Sequence, residues 1–281
     1  MTALSVRGLC KTYPGFTLKN VDLDVEEGTV HGLVGRNGAG KSTTLKSILH
    51  LVHPDAGEVT CFGAPYGERE KQIRQQIGYA GGAVAYYEKK KIRDLVSVTR
   101  NFYFGWQDEA FRRYAAQFAL DEEKRPCQLS AGMKVKLNLA LALSHGARLL
   151  ILDEPTGGLD PLSREELLEI LLGLARDGTA ILFSTHIVSD LEVCADRITC
   201  LQNGAVVACG TPEELTGNWR IAHTKGNWTD AQRRAGRGEC FSRQGKTLLI
   251  PREAEGLFAP QTVSVPTLEQ VIIHLEKEAA V

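Results

Sequence analysis

The chain has 281 residues with a formal net charge of −1, 43% hydrophobic and 24% charged. That is the make-up of a soluble globular protein of one large domain plus an appendage, and the near-neutral charge excludes a global field drawing it to nucleic acid or anionic lipid. No stretch approaches the ~18 consecutive apolar residues a spanning helix needs, and the N-terminus lacks a signal-peptide layout, so a cytosolic location is expected. The seven cysteines form no C-x-x-C pair and read as reduced thiols.

The first informative segment is Thr29–Val34, a short buried strand, followed by Gly35-Arg36-Asn37-Gly38-Ala39-Gly40-Lys41-Ser42-Thr43 and a helical pattern at Leu45, Ile48 and Leu49. Strand, Gly-rich loop and helix in this order make a phosphate loop. Its glycines let backbone N–H groups approach phosphate oxygens, and the helix N-terminus presents positive potential to the same anion. Lys41 supplies a mobile charge for the β- and γ-phosphates, and the Ser42 hydroxyl suits Mg²⁺.

Ile77–Gly82 follows, and then Tyr86 to Arg93 leads into a helical region containing Phe102-Tyr103-Phe104-Gly105-Trp106. The lysines at 89–91 suit a solvated face, and the aromatics suit either a partner-binding surface or a local core. Leu129-Ser130-Ala131-Gly132-Met133 precedes a helix expected over Lys134–Ser144, for which Ser130 is a good N-cap. A helix start with Ser and Gly is also an anion site. The apolar run Leu149–Leu152 reads as a central parallel strand. It ends in Asp153, placed to hold Mg²⁺, and Glu154, placed to polarise or deprotonate an attacking water. Ala180–Phe183 is a further buried strand ending at Ser184-Thr185-His186.

Gly35–Thr43, Leu129–Met133, Leu149–Pro155, Gly158-Leu159-Asp160 and Ser184–His186, in this order, closely resemble the ATP-binding cassette of ABC transporters, over roughly residues 3–216. The resemblance implies an α/β fold: a P-loop NTPase core with an antiparallel β subdomain and an α-helical subdomain at about 83–145, the cassette spanning 1–216. It implies an ATPase using ATP and Mg²⁺. Gly35, Asn37, Gly38, Ala39, Gly40, Lys41, Ser42 and Thr43 would bind ATP, and Ser42 and Asp153 the metal. Tyr13 would stack on adenine, an alternative being an ordinary half-buried aromatic. Glu154 would be the catalytic carboxylate, His186 the γ-phosphate switch, and Asp160 the link between sites. Ser130 and Gly132 would grip ATP held by a second cassette, in a homodimer or with a related chain.

The implied partner is an integral membrane permease on a separate chain, with the cassette on the cytoplasmic face, export the leaning direction and no nucleic acid expected. Alternatives are a soluble ABC ATPase acting on ribosome or DNA, or a cassette that binds ATP with little hydrolysis. Ala131 and Met133 replace the usual Gly and Gln of the family pentapeptide. Gly82 stands where the family has Gln or Glu, putting metal coordination and coupling there in doubt. Residues 217–281 read as a small C-terminal α+β appendage. It has a loose cluster of Arg233, Arg234, Arg237 and Arg243, strands at Thr247–Ile250 and Thr262–Val265, and an apolar helical stripe after Thr267.

Overall fold

The computed structural model describes residues 1–81, 88–242 and 245–278; Gly82, Tyr86, Tyr87 and Arg243 lie outside them. In chain order the elements are β1 (Thr2–Tyr13), β2 (Phe16–Glu26), β3 (Val30–Val34), α1 (Lys41–Ile48), β4 (Ala56–Cys61), β5 (Ala64–Pro65), α2 (Glu70–Arg74) and β6 (Ile77–Gly81). The helical stretch α3 (Ile92–Thr99), α4 (Asp108–Gln117) and α5 (Ala131–Leu143) comes next. It is followed by β7 (Leu149–Asp153), α6 (Pro161–Arg176), β8 (Ala180–Thr185), α7 (Val188–Cys194), β9 (Arg197–Gln202) and β10 (Ala205–Gly210). The chain ends with α8 (Pro212–Gly217), β11 (Trp219–Thr224), α9 (Asp230–Ala235), β12 (Arg237–Ser242), β13 (Gly245–Pro251), β14 (Val263–Ser264) and α10 (Leu268–Glu278).

Among the described residues three sheets form: an antiparallel one ordered β2-β1-β4-β5, a central one ordered β10-β9-β3-β8-β7-β6, and a C-terminal antiparallel one ordered β12-β13-β11-β14. In the central sheet β9, β3, β8, β7 and β6 run parallel and β10 returns antiparallel at the edge. Parallel strands are covered on both faces, which is why they read as unbroken apolar runs. Side chains alternate with period two, so β7 feeds two cores. Leu149 and Ile151 face the core shared with the antiparallel sheet and α1, while Leu150 and Leu152 face the core made with the helices. Close helix packing needs small residues: a Cβ at Gly32 on β3 would lie 2.1 Å from Leu191 Cδ2 of α7.

Between β6 and β7 the described residues carry α3, α4 and α5. α5 is buried along nearly its whole second half, as expected of a helix apolar all round. It starts at Ala131, three residues before the expected Lys134, because the Ser130 cap places Ala131 and Gly132 already in the first turn. Of the aromatics that suit either core or surface, Tyr103 stacks on His145 at 3.7 Å and Trp106 packs near Phe111 at 6.0 Å. Phe102 and Phe104 are exposed instead, at 69% and 97%.

In the C-terminal region the strands expected at Thr247–Ile250 and Thr262–Val265 are present as β13 and the shorter β14. The helix expected after Thr267 is α10, with the Gln270 N–H donating to Thr267 Oγ1 at 3.2 Å. One face of the sheet packs Trp228, Leu248 and Ile250 around Phe258. The other packs Ile221 and Leu249 against Val271 and Leu275 of α10. Leu268 and Ile272 on the same helix enter the large core around α5–α7.

Candidate functional site

β3 delivers the chain to Gly35, and α1 begins six residues later at Lys41. Gly40 is the N-cap, at φ 113°, and no side chain caps the helix. The first-turn N–H groups are therefore free to meet an anion. A Cβ at Gly40 would lie 3.0 Å from the Phe16 ring, so glycine is required by both conformation and space. Lys41 Nζ is nearly buried, donating to the Gly35 and Arg36 carbonyls at 2.7 and 3.3 Å. It also lies 3.1 Å from Glu154 Oε1.

Glu154 follows the last residue of β7 and adopts φ 52°, a left-handed conformation uncommon outside glycine. Such backbone costs about 1–3 kcal/mol and persists where surroundings over-determine it. Here the Glu154 N–H donates to Ser184 Oγ at 2.9 Å and approaches the Ser184 carbonyl at 3.2 Å. The Ser184 hydroxyl donates in turn to Asp153 Oδ1 at 2.6 Å. The parallel register sets this up, since Asp153 and Ser184 are partners across β7 and β8. Glu154 Oε2 lies 2.6 Å from His186 Nδ1, so one carboxylate bridges Lys41 and His186.

Behind this triad is a buried network absent from the sequence reading. Asp190 on α7 is fully buried, accepts from Thr156 Oγ1 at 2.6 Å and pairs with Arg164 Nε of α6. Arg164 Nη2 also donates to Ser189 Oγ at 2.6 Å. The loop after β7, the start of α6 and the start of α7 are thus tied together. Asp160 caps α6 by accepting from the Ser163 N–H at 3.0 Å and the Ser163 hydroxyl at 2.7 Å. Those two hydrogen bonds hold its carboxyl below the usual carboxylate range.

Two cavities flank the phosphate loop. One, of about 460 Å³, is lined by Gly15, Phe16, the loop from Arg36 to Thr43 except Ala39, and Glu154. The other, of about 610 Å³, is lined by Gly35–Ala39, His186, Leu201–Asn203 and Glu276. The structure therefore brings together Gly35, Asn37, Gly38, Ala39, Gly40, Lys41, Ser42, Thr43, Glu154 and His186, with Asp153 held behind through Ser184. Ser130 and Gly132 line neither cavity. Ser130 accepts from the Met133 N–H at 3.2 Å, and Gly132 packs on the start of α6, where a Cβ would lie 3.4 Å from Ser163 Cβ. Tyr13 is an exposed hairpin residue with Lys11 Nζ 5.8 Å from its ring centre. Gly15 and Phe16, at the same turn, are the residues that wall the cavity.

Ser42 and Asp153 offer hydroxyl and carboxylate oxygens, hard donors that fit Mg²⁺. Among the described residues no group of three or more His, Cys, Asp or Glu side chains is clustered for a metal. In the appendage Arg233 and Arg234 lie on α9, whereas Arg237 stacks over the Trp219 ring at 5.5 Å. No helix among the described residues is long and apolar enough to cross a membrane.

The profile of the ABC transporter family matches residues 18–157. Nod factor export ATP-binding protein I of Burkholderia orbicola is 37% identical over 204 residues, covering 70% of this chain and 67% of that protein. Matches to other curated relatives span as little as 58% of their length. Among solved structures, the ATP-binding subunit of an ABC transporter superposes with TM-score 0.70 at 31% identity, covering 77% of this chain and 92% of that one. A bacterial ABC transporter cassette solved as a dimer superposes with TM-score 0.66 at 26% identity, over 74% of this chain and 98% of that one. The chain belongs to the ABC transporter family, as one of its ATP-binding cassette ATPases.

Proposed function

We propose that this chain is the ATP-hydrolysing subunit of an ABC exporter, working with a second cassette and with permease subunits on separate chains at the cytoplasmic face of a membrane. The observation that carries hydrolysis is Glu154 bridging Lys41 and His186 at 3.1 and 2.6 Å. A cassette that only binds ATP has no need of a strained carboxylate between its phosphate-loop lysine and a half-exposed histidine. Export is supported by the similarity to the Nod factor export ATP-binding protein I.

In this reading the loop N–H groups and Lys41 hold the β- and γ-phosphates, and Tyr13, with Phe16 beside it, meets the adenine. Ser42 and Asp153 would hold Mg²⁺, which would supply neutralisation of phosphate charge. Glu154 orients a water and takes its proton as the water oxygen bonds to the γ-phosphorus and the bond to the β-phosphate oxygen breaks, releasing ADP and phosphate. His186 donates a hydrogen bond to the γ-phosphate. Ser130 and Gly132, outside their own chain's cavities, serve the partner's ATP, and Asp160 communicates between the sites. The cassette spans residues 1–216 and the accessory region 217–281. Phe102 and Phe104, exposed on the helical stretch, fit the permease contact.

The test is Glu154→Gln. Loss of general-base chemistry lowers kcat by about 10²–10⁴, while ATP binding persists and the chain dimerises with ATP. Hydrolysis at the wild-type rate would exclude the role given to Glu154.

A further inference from the structure

The last helix ends at the phosphate loop. Glu276, in the final turns of α10, lines the cavity of about 610 Å³ together with Arg36, Asn37 and His186. The Leu275 and Glu276 carbonyls accept from Gln202 Nε2 at 3.0 and 2.7 Å. Gln202 ends β9, and the turn after it holds the loop directly, the Gly204 N–H donating to the Ala39 carbonyl at 3.0 Å. One hairpin thus fixes both the phosphate loop and the C-terminal end of α10.

The polarity there is opposite to what a polyphosphate needs. A helix C-terminus carries partial negative charge, and Glu276 adds a carboxylate to a cavity that Arg36 and His186 also line, near the Glu154 carboxylate that already bridges Lys41 and His186. Burial pushes the Glu276 carboxyl above its ordinary range, against the pull of Arg36 and Lys41. α10 does not sit there independently. Val271 and Leu275 are packed into the C-terminal sheet. The backbone of β12 presses on it so closely that a Cβ at Gly238 would lie 1.8 Å from the His274 carbonyl oxygen. Thr247 on β13 meets His274 Nε2 at 3.1 Å.

We propose, building on the ATP reading above, that Glu276 is a charge gate at the nucleotide site, through which the C-terminal appendage sets the chain's affinity for nucleoside triphosphate. Like charge in the cavity disfavours incoming phosphates. A like charge within about 10 Å in a partly solvated protein site changes a binding constant by on the order of ten-fold.

The experiment is an equilibrium titration of the full chain with a fluorescent ATP analogue, comparing wild type, Glu276→Gln, Glu276→Lys and Glu269→Gln at low and high salt. Dissociation constants are expected to fall on the order of ten-fold for Glu276→Gln and further for Glu276→Lys, with the gaps narrowing as salt screens the charges. Glu269→Gln, two turns back on α10 and outside the cavity of about 610 Å³ although it shares a neighbouring one with His186, is expected to tighten binding by less than Glu276→Gln. A flat series, weaker binding in the variants, or equal tightening by Glu269→Gln would overturn the gate. Wild type failing to bind the analogue would sink the ATP reading itself; wild type binding with a flat series would sink the gate alone.

Discussion

Arg164→Met and Asp190→Asn remove opposite halves of one buried pair, and the structure predicts unequal costs. Asp190 is 0% exposed, whereas Arg164 is 26% exposed. Without Arg164, the carboxylate keeps only hydroxyl donors, Thr156 at 2.6 Å and Thr185 at 3.4 Å. Stranding a buried charge costs about 3–5 kcal/mol, and the partial exposure of the pair's guanidinium side places this case near about 3. In Asp190→Asn the amide oxygen still accepts from Thr156, and the guanidinium has a path to water and keeps Ser189. That loss is about 1.5 kcal/mol, the lower end for a hydrogen bond to a charged group, since the freed guanidinium reaches water. Urea unfolding followed by circular dichroism measures both, with stability read from the midpoint at constant slope. Arg164→Met is expected to be the less stable variant by about 1–2 kcal/mol. Equal losses, or a larger loss in Asp190→Asn, would refute the view that the burial of Asp190 controls this junction.

Other outcomes follow from single side chains. Ser130→Ala removes the α5 N-cap and is expected to cost about 1 kcal/mol of stability, yet to abolish ATP-dependent dimerisation. If dimerisation survives and only stability falls, Ser130 is a cap and nothing more. His31 is 1% exposed, its Nδ1 donating to the Asp24 carbonyl at 2.8 Å. Burial lowers its pKa from 6.5 to about 4. The unfolded chain therefore takes up a proton that the folded chain refuses, so this stability is complete above pH 6.5 and is lost as pH falls toward 4. The loss is on the order of 3 kcal/mol, and His31→Gln is expected to flatten the decline. An unchanged acid limb of the stability profile would contradict it.

What the sequence discloses depends on how local the contact is. The phosphate loop, its flanking strand and helix, the Ser130 cap and the Asp153–Glu154 strand end are each contained within about a dozen residues, where periodicity and capping operate. The part played by Ser184 is not local. It arises because β7 and β8 pair in parallel, placing its hydroxyl between the Asp153 carboxylate and the Glu154 N–H. Asp190 reaches Thr156 across 34 residues, a distance no pattern reports. β11 and β12 sit in polar, Gly-interrupted sequence, where their alternation is weak, and only the β13 and α10 patterns stand out. At the turn between β1 and β2 the chain is carried round so that Phe16 meets Gly40, a contact between residues 24 positions apart that no local pattern reports. Nothing in the α10 stripe indicates that its far end lies beside Arg36.

The central claim is that each ATP is held by Lys41 of one chain and Ser130 of another. Lys41→Ala and Ser130→Arg chains, each in a Glu154→Gln background to prevent turnover, can be prepared separately and then mixed, with trapped ATP counted per dimer. Neither variant alone forms a whole site. On mixing, half of the dimers pair the two variants and one of their two sites is intact, so a composite site predicts recovery of about a quarter of the sites trapped by Glu154→Gln alone. If Ser130 instead serves the ATP of its own chain, every site in the mixture carries one of the two defects, and no trapped nucleotide would appear.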